Sequence, residues 1–309
     1  QGKGLGNQFL NDLMQAKALI HVLDASGSID SEGNLVEAGS HDPAEDVIFL
    51  EKEIAYWIKQ ILTKNWQKLT RQVASTKKPI DAIATQLSGL GITPQNVQQI
   101  FDAEKFSAEI QKWNEQTILD FASSIVKHAK PILIAANKID VDPARENLKK
   151  LQKQFPEKIF VACFAEGELA LRKAARQGLI NYLPGSTDFE IVKQLSDEQK
   201  KALEFIREKM QEFNGTGVQE ALNAVAFELL KLIFVYPVED ALHWTDSKGN
   251  ILPDALLVEN NTTPLELAEK IHSSFRERFI AAIDARTKQK LAKDYNLKMN
   301  DVIKIQLSK

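Results

Sequence analysis

One cysteine, Cys163, occurs in 309 residues, so no internal disulfide can form. A lone thiol is compatible with a reducing compartment and does not by itself demonstrate one. No apolar run approaches the roughly 20 residues that a membrane-spanning helix requires. The opening Gln1-Gly2-Lys3-Gly4-Leu5-Gly6 has neither an initiator Met nor the apolar core of a signal peptide; a chain that starts on Gln in a Gly-rich stretch reads as cut. An excess of one charge is also missing. Lys and Arg number 39 against 42 Asp and Glu, a net charge of -3, so any nucleic-acid contact must come from a local patch rather than a global basic field. The histidines at 41, 128, 243 and 272 show no metal-like spacing with Cys or carboxylates, and no metal site is expected. There is no internal repeat and no low-complexity tail.

What is present describes an ordinary globular chain, 44% hydrophobic and 26% charged, long enough for two or three domains. Ala18 to Ser26 (ALIHVLDAS) is a short apolar run that predicts a buried strand, with His21 packed in it and Asp24 bracing the loop that follows. After a polar loop to Asp42, Pro43 sits where a helix can begin. Val47, Ile48, Leu50, Ile54, Trp57, Ile58 and Ile61 recur at helical spacing, and a second long helical pattern runs from Pro94 to about Lys130. An antiparallel helical pair within residues 43–130 is the expectation. Pro131 to Ala136 (PILIAA) reads as a central parallel strand. A helix over Pro143 to Phe155, a strand over Lys158 to Cys163 and a helix over Glu166 to Gln177 continue the alternation that builds a parallel sheet covered by helices. Helices over Asp197 to Phe213 and Val218 to Leu232 flank the loop Asn214-Gly215-Thr216-Gly217. From Phe234 onward, short runs and one helix after Thr263-Pro264 predict a small α+β module.

The most informative point is Asn137-Lys138-Ile139-Asp140, directly after the PILIAA strand. In doubly wound sheets, ligands sit at the carboxyl ends of strands, and these residue types suit guanine. A carboxylate at Asp140 can accept from both N1–H and the exocyclic NH2. Adenine presents no such donor pair, which would leave the carboxylate unpaired at a cost of a few kcal/mol. The Asn137 side chain can bridge the base edge and the loop. The Lys138 stem can lie over the purine face with its ammonium in water. Four residues of this pattern also arise by chance in solvated turns; the strand before them favours the base-reading role.

Several separated segments, in order, resemble one family. GKGLGNQFLNDLMQAKALIHVLDASG is similar to the stretch after the DxxG motif in Obg-like GTPases of the YchF type. PILIAANKID resembles their base-recognition strand and loop. ELALRKAARQGLINYLPG (Glu168 to Gly185) and NGTGVQEALN (Asn214 to Asn223) resemble the same family, especially its archaeal branch, and the last segment resembles a TGS domain. The resemblance spans essentially the whole chain. It implies an α/β fold: a Ras-like P-loop GTPase G domain of the TRAFAC class, here N-terminally incomplete, with a parallel sheet flanked by helices, a helical insertion and a small α+β TGS domain. The implied division is 1–42 (switch II tail and following strand), 43–130 (helical insertion and return helix), 131–232 (rest of the G domain) and 233–309 (TGS). The implied ligands are GTP or GDP with Mg2+. The implied partners are the ribosome or RNA, and the expectation is a monomeric, cytoplasmic protein with no membrane contact. Asp140 resembles the guanine-specific form of the motif; relatives with Glu there accept ATP.

Two departures bear on the carry-over. No G-x-x-x-x-G-K-[ST] occurs in this sequence, so the phosphate loop and the Mg2+-binding hydroxyl would lie before Gln1, and the catalytic group is not assigned. Gly2, Lys3 and Gly4 resemble the tail of switch II. The family's Ser-Ala pair, whose Ala N–H meets guanine O6, reads Phe164-Ala165 here: Ala165 keeps its N–H, whereas Phe164 loses the hydroxyl that braces the loop. Lys64, Lys68, Arg71, Lys77 and Lys78, with Trp66 among them, form a candidate RNA contact or an ordinary solvated helix face. Arg276, Arg278, Arg286, Lys288 and Lys290 form a second basic set beside Glu277 and Asp284. Two readings therefore stand: a GTPase that switches a partner, and a non-catalytic ribosome or RNA adaptor with a degenerate nucleotide site.

Overall fold

A computed structural model describes residues 16–308. Gly2, Lys3 and Gly4 lie outside the described residues. The chain divides into two compact units, Gln1–Val225 and Ala226–Lys309.

The first unit is organised on a three-stranded parallel sheet in the order β1 (Leu19–Asp24), β2 (Ile132–Asn137), β3 (Phe160–Ala162). The central strand is the PILIAA run, and Leu133 to Ala136 are all buried, as expected of a strand covered on both faces. Five helices lie between β1 and β2: α1 (Pro43–Lys64), α2 (Trp66–Thr76), α3 (Pro79–Gln86), α4 (Pro94–Glu104) and α5 (Glu115–Ala129). Asp42 starts α1, its carboxylate accepting the Ala44 N–H, with Pro43 in the first turn. Helices α1 and α5 pack together around a core that includes Ile54, Ile58, Leu62, Phe121 and Ile125.

The stretch from 94 to 130 is not one helix. Lys105 takes a left-handed conformation at the end of α4 (φ 55°), and a 3-10 turn at Ile110–Lys112 precedes α5. The apolar spacing runs through this break because Phe101, Phe106, Trp113 and Phe121, from both sides of it, share one aromatic cluster with ring centroids 5.1–6.3 Å apart.

After β2 come α6 (Pro143–Gln154), then β3 and α7 (Ala165–Arg176). A two-stranded hairpin follows, β4 (Ile180–Asn181) and β5 (Glu190–Ile191), and then α8 (Asp197–Phe213). Helix α8 opens on a Ser196/Gln199 capping box and closes on Asn214 in the left-handed region. The helix expected over Val218 to Leu232 is shorter: α9 spans Val218–Asn223 and widens into a π-helical turn, Ala224–Leu229.

The second unit is a five-stranded sheet in the order β7 (Leu256–Glu259), β6 (Leu232–Val238), β10 (Val302–Leu307), β8 (Phe279–Asp284), β9 (Lys290–Leu291). Strand β10 runs parallel to β6 and antiparallel to β8. Helix α10 (Pro264–Ile271) starts on a Thr263/Glu266 capping box. A second short helix, α11 (Phe275–Arg278), was not anticipated. Much of the basic set of this unit is engaged internally. Arg276 pairs with Glu269, Arg278 donates to the Ser308 carbonyl, Arg286 to the Asn300 carbonyl, and Lys288 to the Ala241 and Ala285 carbonyls. No helix among the described residues is long and apolar enough to cross a membrane.

Candidate nucleotide-base site

Strands β1 and β2 end side by side, with Asp24 opposite Asn137, and β3 ends beside them at Ala162. Three loops therefore leave the same carboxyl edge of the sheet. Backbone bonds lace them together: Ala25 N–H donates to the Asn137 carbonyl (3.0 Å), Cys163 N–H to Ala136 (2.8 Å) and Ile139 N–H to Cys163 (3.2 Å). The Ile139 side chain is buried in the core, while Asn137, Lys138 and Asp140 are half-buried.

Asn137 joins two loops. Its Oδ1 accepts the Ala165 N–H at 3.0 Å, so the N–H expected to face the base is taken by Asn137. Lys138 sits at φ 62°, a left-handed conformation that costs a non-glycine residue about 1 kcal/mol or more and that concentrates at functional sites. Its side chain is one-third exposed, but the ammonium is tied to the chain. It donates to Asp24 Oδ2 (3.0 Å) and Ser28 Oγ (2.9 Å), so its aliphatic stem is a fixed strip running from the Asn137–Asp140 loop to the loop after β1. Asp24 also accepts from the N–H and hydroxyl of both Ser26 and Ser28. Burial alone would raise its pKa; donors from Ser26, Lys138 and Ser28 outweigh burial and hold it below the usual carboxylate range.

Asp140 is the opposite case. Among the described residues its carboxylate accepts from its own backbone N–H and from no other residue. Burial, and then the nearby Glu166 charge, raise its pKa, with Lys209 and Lys138 offsetting part of the rise. A half-buried carboxylate with spare lone pairs is an acceptor built for donors from outside the chain.

The side chain of Phe164 turns away from the base loop and into the core, where it is 5% exposed. It meets Phe205 of α8 edge-on, with centroids 6.2 Å apart, and lies over Gly167, where any Cβ would fall 2.4 Å from the ring. Its own N–H donates to the Thr216 carbonyl at 2.8 Å. As N-cap of α7, Phe164 supplies no side-chain acceptor, which leaves the first-turn N–H groups of Glu166 and Gly167 without an intrahelical partner.

Two elements of the site were not anticipated from sequence. Gly217, at φ 76°, packs its backbone on β3 so closely that a Cβ would fall 1.8 Å from the Ala162 carbonyl oxygen. Glu168, 4% exposed, accepts from Thr216 Oγ1 (2.6 Å), Tyr182 Oη (2.6 Å) and Arg172 Nε (2.5 Å). The 48-residue separation of Glu168 and Thr216 hides this pairing from any local pattern.

Other candidates resolve simply. Burial pushes the Cys163 thiol up to about 12, with Glu220 adding to the shift, so it is inert at neutral pH. His21 is half-buried rather than core, and burial lowers its pKa against the pull of Asp46 and Glu51. Among the described residues no group of three His, Cys, Asp or Glu side chains could hold a metal ion. Lys64, Lys68, Arg71, Lys77 and Lys78 are exposed on and beside α2, and among the described residues they form no ion pair. Trp66 is partly buried, packed on the helical core and stacked on Trp113 (5.9 Å, 28°).

A parallel sheet with an Asn-Lys-x-Asp loop at its carboxyl edge defines a nucleotide-binding G-domain fold, here followed by a separate α+β unit. Residues 135–240 match the family described as Obg-like GTPase YGR210-like, G4 motif-containing domain, and residues 248–306 match the TGS domain. A GTP-binding protein of Methanocaldococcus jannaschii is 44% identical over 308 residues, covering 99% of this chain and 77% of its own length. The crystal structure of a GTP-binding protein from Pyrococcus horikoshii superposes with a TM-score of 0.78 at 41% identity, over 97% of this chain and 81% of that one. A more distant relative from Buchnera aphidicola, 25% identical over 91% of this chain and 66% of its own, carries the name ribosome-binding ATPase YchF. The chain belongs to the Obg-like, YchF-type GTPase family and is a GTP-binding protein of that family.

Proposed function

We propose that the protein selects guanine through Asp140, with the base lying on the pinned stem of Lys138 and its 6-oxo group facing the open N–H groups at the start of α7. The observation that carries this reading is the contrast among three carboxylates at one edge of the sheet. Asp24 and Glu168 are filled by donors from the chain, whereas Asp140 has none from another residue among the described ones. Guanine N1–H and 2-NH2 supply the pair of donors that such a carboxylate accepts, and adenine does not. Asn137 acts within the site as the tie between its two loops. In the full-length protein we propose that GTP is bound with Mg2+ and hydrolysed, and that the protein works in the cytoplasm. Titration of the full-length protein with labelled GDP, competed by unlabelled GDP and ADP, tests the reading. Competition by GDP at least a hundredfold better than by ADP is expected; equal competition overturns guanine selection.

A second reading concerns the partner. Between Glu53 and Asp81 there are six Lys or Arg residues and no acid, and five of the six are exposed without an ion pair among the described residues. We propose that this face of the helical insertion contacts RNA, as in a ribosome-associated protein. Its mark is an affinity that falls steeply with salt.

A further inference from the structure

We propose that Glu168 is a positioning residue for base recognition: through Thr216, its buried carboxylate sets where the loop between β3 and α7 holds its backbone N–H groups. The inference rests on the base-reading role proposed above for that loop.

Burying a carboxylate costs several kcal/mol unless donors replace water. Here three side chains from three places in the chain do so: Arg172 one turn along α7, Tyr182 on the segment after β4, and Thr216 in the loop before α9. Arg172 alone would serve an ordinary i,i+4 helix pair. The other two tie α7 to the segment after β4 and to the loop before α9, and the latter reaches the β3–α7 loop. Thr216 is the hinge of the arrangement. The residue is 2% exposed; its hydroxyl donates to Glu168 Oε2 at 2.6 Å, and its carbonyl accepts the Phe164 N–H at 2.8 Å. The next N–H, that of Ala165, is fixed by Asn137. Beyond it come the first-turn N–H groups of Glu166, which is exposed, and Gly167, which is buried beneath the Phe164 ring. The register of the helix start is therefore held by two successive anchors just before it, Thr216 (itself bonded to Glu168) at Phe164 and Asn137 at Ala165. Gly217 completes the clamp, because its missing Cβ lets its own backbone lie against Ala162 and Cys163, next to Thr216.

The network's titration agrees with this geometry. Burial works against the charged form of Glu168, yet donors from Thr216, Tyr182 and Arg172 hold its pKa below the usual range. Burial first, and then the bond to Glu168, push the Tyr182 phenol up to about 12. Both groups thus keep fixed donor and acceptor roles across the physiological range.

A positioning role differs from a merely structural one in which base contacts it affects. The α7 donors face O6, whereas Asp140 faces N1–H and the 2-amino group. The test compares GDP with 6-thioguanosine diphosphate, which keeps the edge read by Asp140 but replaces O6 with a weak acceptor. Wild type, Glu168→Gln, Thr216→Val and Thr216→Ser are titrated with both, and folding is followed by thermal melting. Wild type should prefer GDP about three- to tenfold, the range of one neutral hydrogen bond. In Glu168→Gln and Thr216→Val the GDP affinity should fall by about that factor, the 6-thio affinity should hold, and the preference should close. Thr216→Ser, which keeps the hydroxyl, should restore it. If Glu168→Gln does not fold, Thr216→Val carries the test. Unchanged preference in Thr216→Val, or equal losses for both nucleotides, overturns the positioning role. Failure of the underlying reading looks different: wild-type GDP binding would then be unaffected by Asp140→Ala.

Discussion

Replacing Asp140 with Asn keeps the side-chain shape, removes a charge and turns one acceptor into a donor. In wild type the carboxylate is expected to accept two charge-assisted hydrogen bonds from guanine, each worth about 1.5–3 kcal/mol. The amide instead points a donor at a donor edge. Part of the carboxylate's desolvation is already present without ligand, because burial and Glu166 raise its pKa in the folded chain, so little of the lost binding energy returns as relief of desolvation. A loss of at least about 3 kcal/mol, roughly a hundredfold in GDP affinity, is expected. Xanthine, whose O2 accepts where guanine's 2-amino group donates, should become the preferred base. Stability should move the other way. The folded-state pKa lies above the ordinary value of 3.8, so the folded protein holds this proton more tightly than the unfolded chain does. The stabilisation is fully present below pH 3.8 and is lost as pH rises through the raised value. At neutral pH the ionised Asp140 therefore destabilises the fold, and Asp140→Asn should melt higher than wild type at pH 7, by a margin that shrinks on acidification. Calorimetric titration with GDP and xanthosine diphosphate, and melting curves from pH 3 to 8 without ligand, read both effects. GDP affinity within threefold of wild type, or a lower melting temperature at pH 7, would refute the reasoning.

Gly217→Ala should be strongly destabilising. The left-handed backbone and a Cβ 1.8 Å from the Ala162 carbonyl oxygen set backbone against backbone, for a loss of about 3 kcal/mol in urea unfolding; an unchanged midpoint would show that the close approach is not real. Lys68→Glu, Arg71→Glu and Lys77→Glu combined should weaken ribosomal RNA binding more than tenfold at low salt and flatten its salt dependence, with GDP binding and melting unaffected, because all three side chains are exposed. RNA binding equal to wild type would return this surface to the status of a solvated helix face.

The elements legible in the sequence are those whose cause is local. PILIAA announced β2 because a strand buried on both faces needs continuous apolar residues, and Pro43 announced α1 because a first-turn proline acts locally; the Asp42 cap that goes with it emerged only in the structure. The break between α4 and α5 was not legible, since Phe101, Phe106, Trp113 and Phe121 keep a helical rhythm while serving a tertiary aromatic cluster. The π-helical end of α9 and the two-residue strands of the β4–β5 hairpin carry too few residues to set a period. At the site, Asn137-Lys138-Ile139-Asp140 was visible as a motif, but its partners were not. Lys138 reaches Asp24 and Ser28 from more than 100 positions away, and Asn137 reaches Ala165 from 28. Residue types show what a side chain can do; only the sheet decides which neighbour uses it.

Phe164 shows how these levels combine. Judged by residue type alone, exchanging the hydroxyl of a Ser-Ala pair for a phenyl ring removes a brace from the base loop. In the folded chain the brace is supplied twice by other means. Thr216 accepts the Phe164 N–H and Asn137 accepts the Ala165 N–H, while the ring gains an apolar seat over Gly167 and against Phe205. Both braces run through backbone N–H groups, so they do not depend on the side chain at 164. The same exchange removes the N-cap acceptor of α7, and a helix start without a cap leaves donors that an incoming oxygen can use. The substitution therefore moves the loop's support onto Thr216 and Asn137, and the proposed role of Glu168 follows from its hold on Thr216.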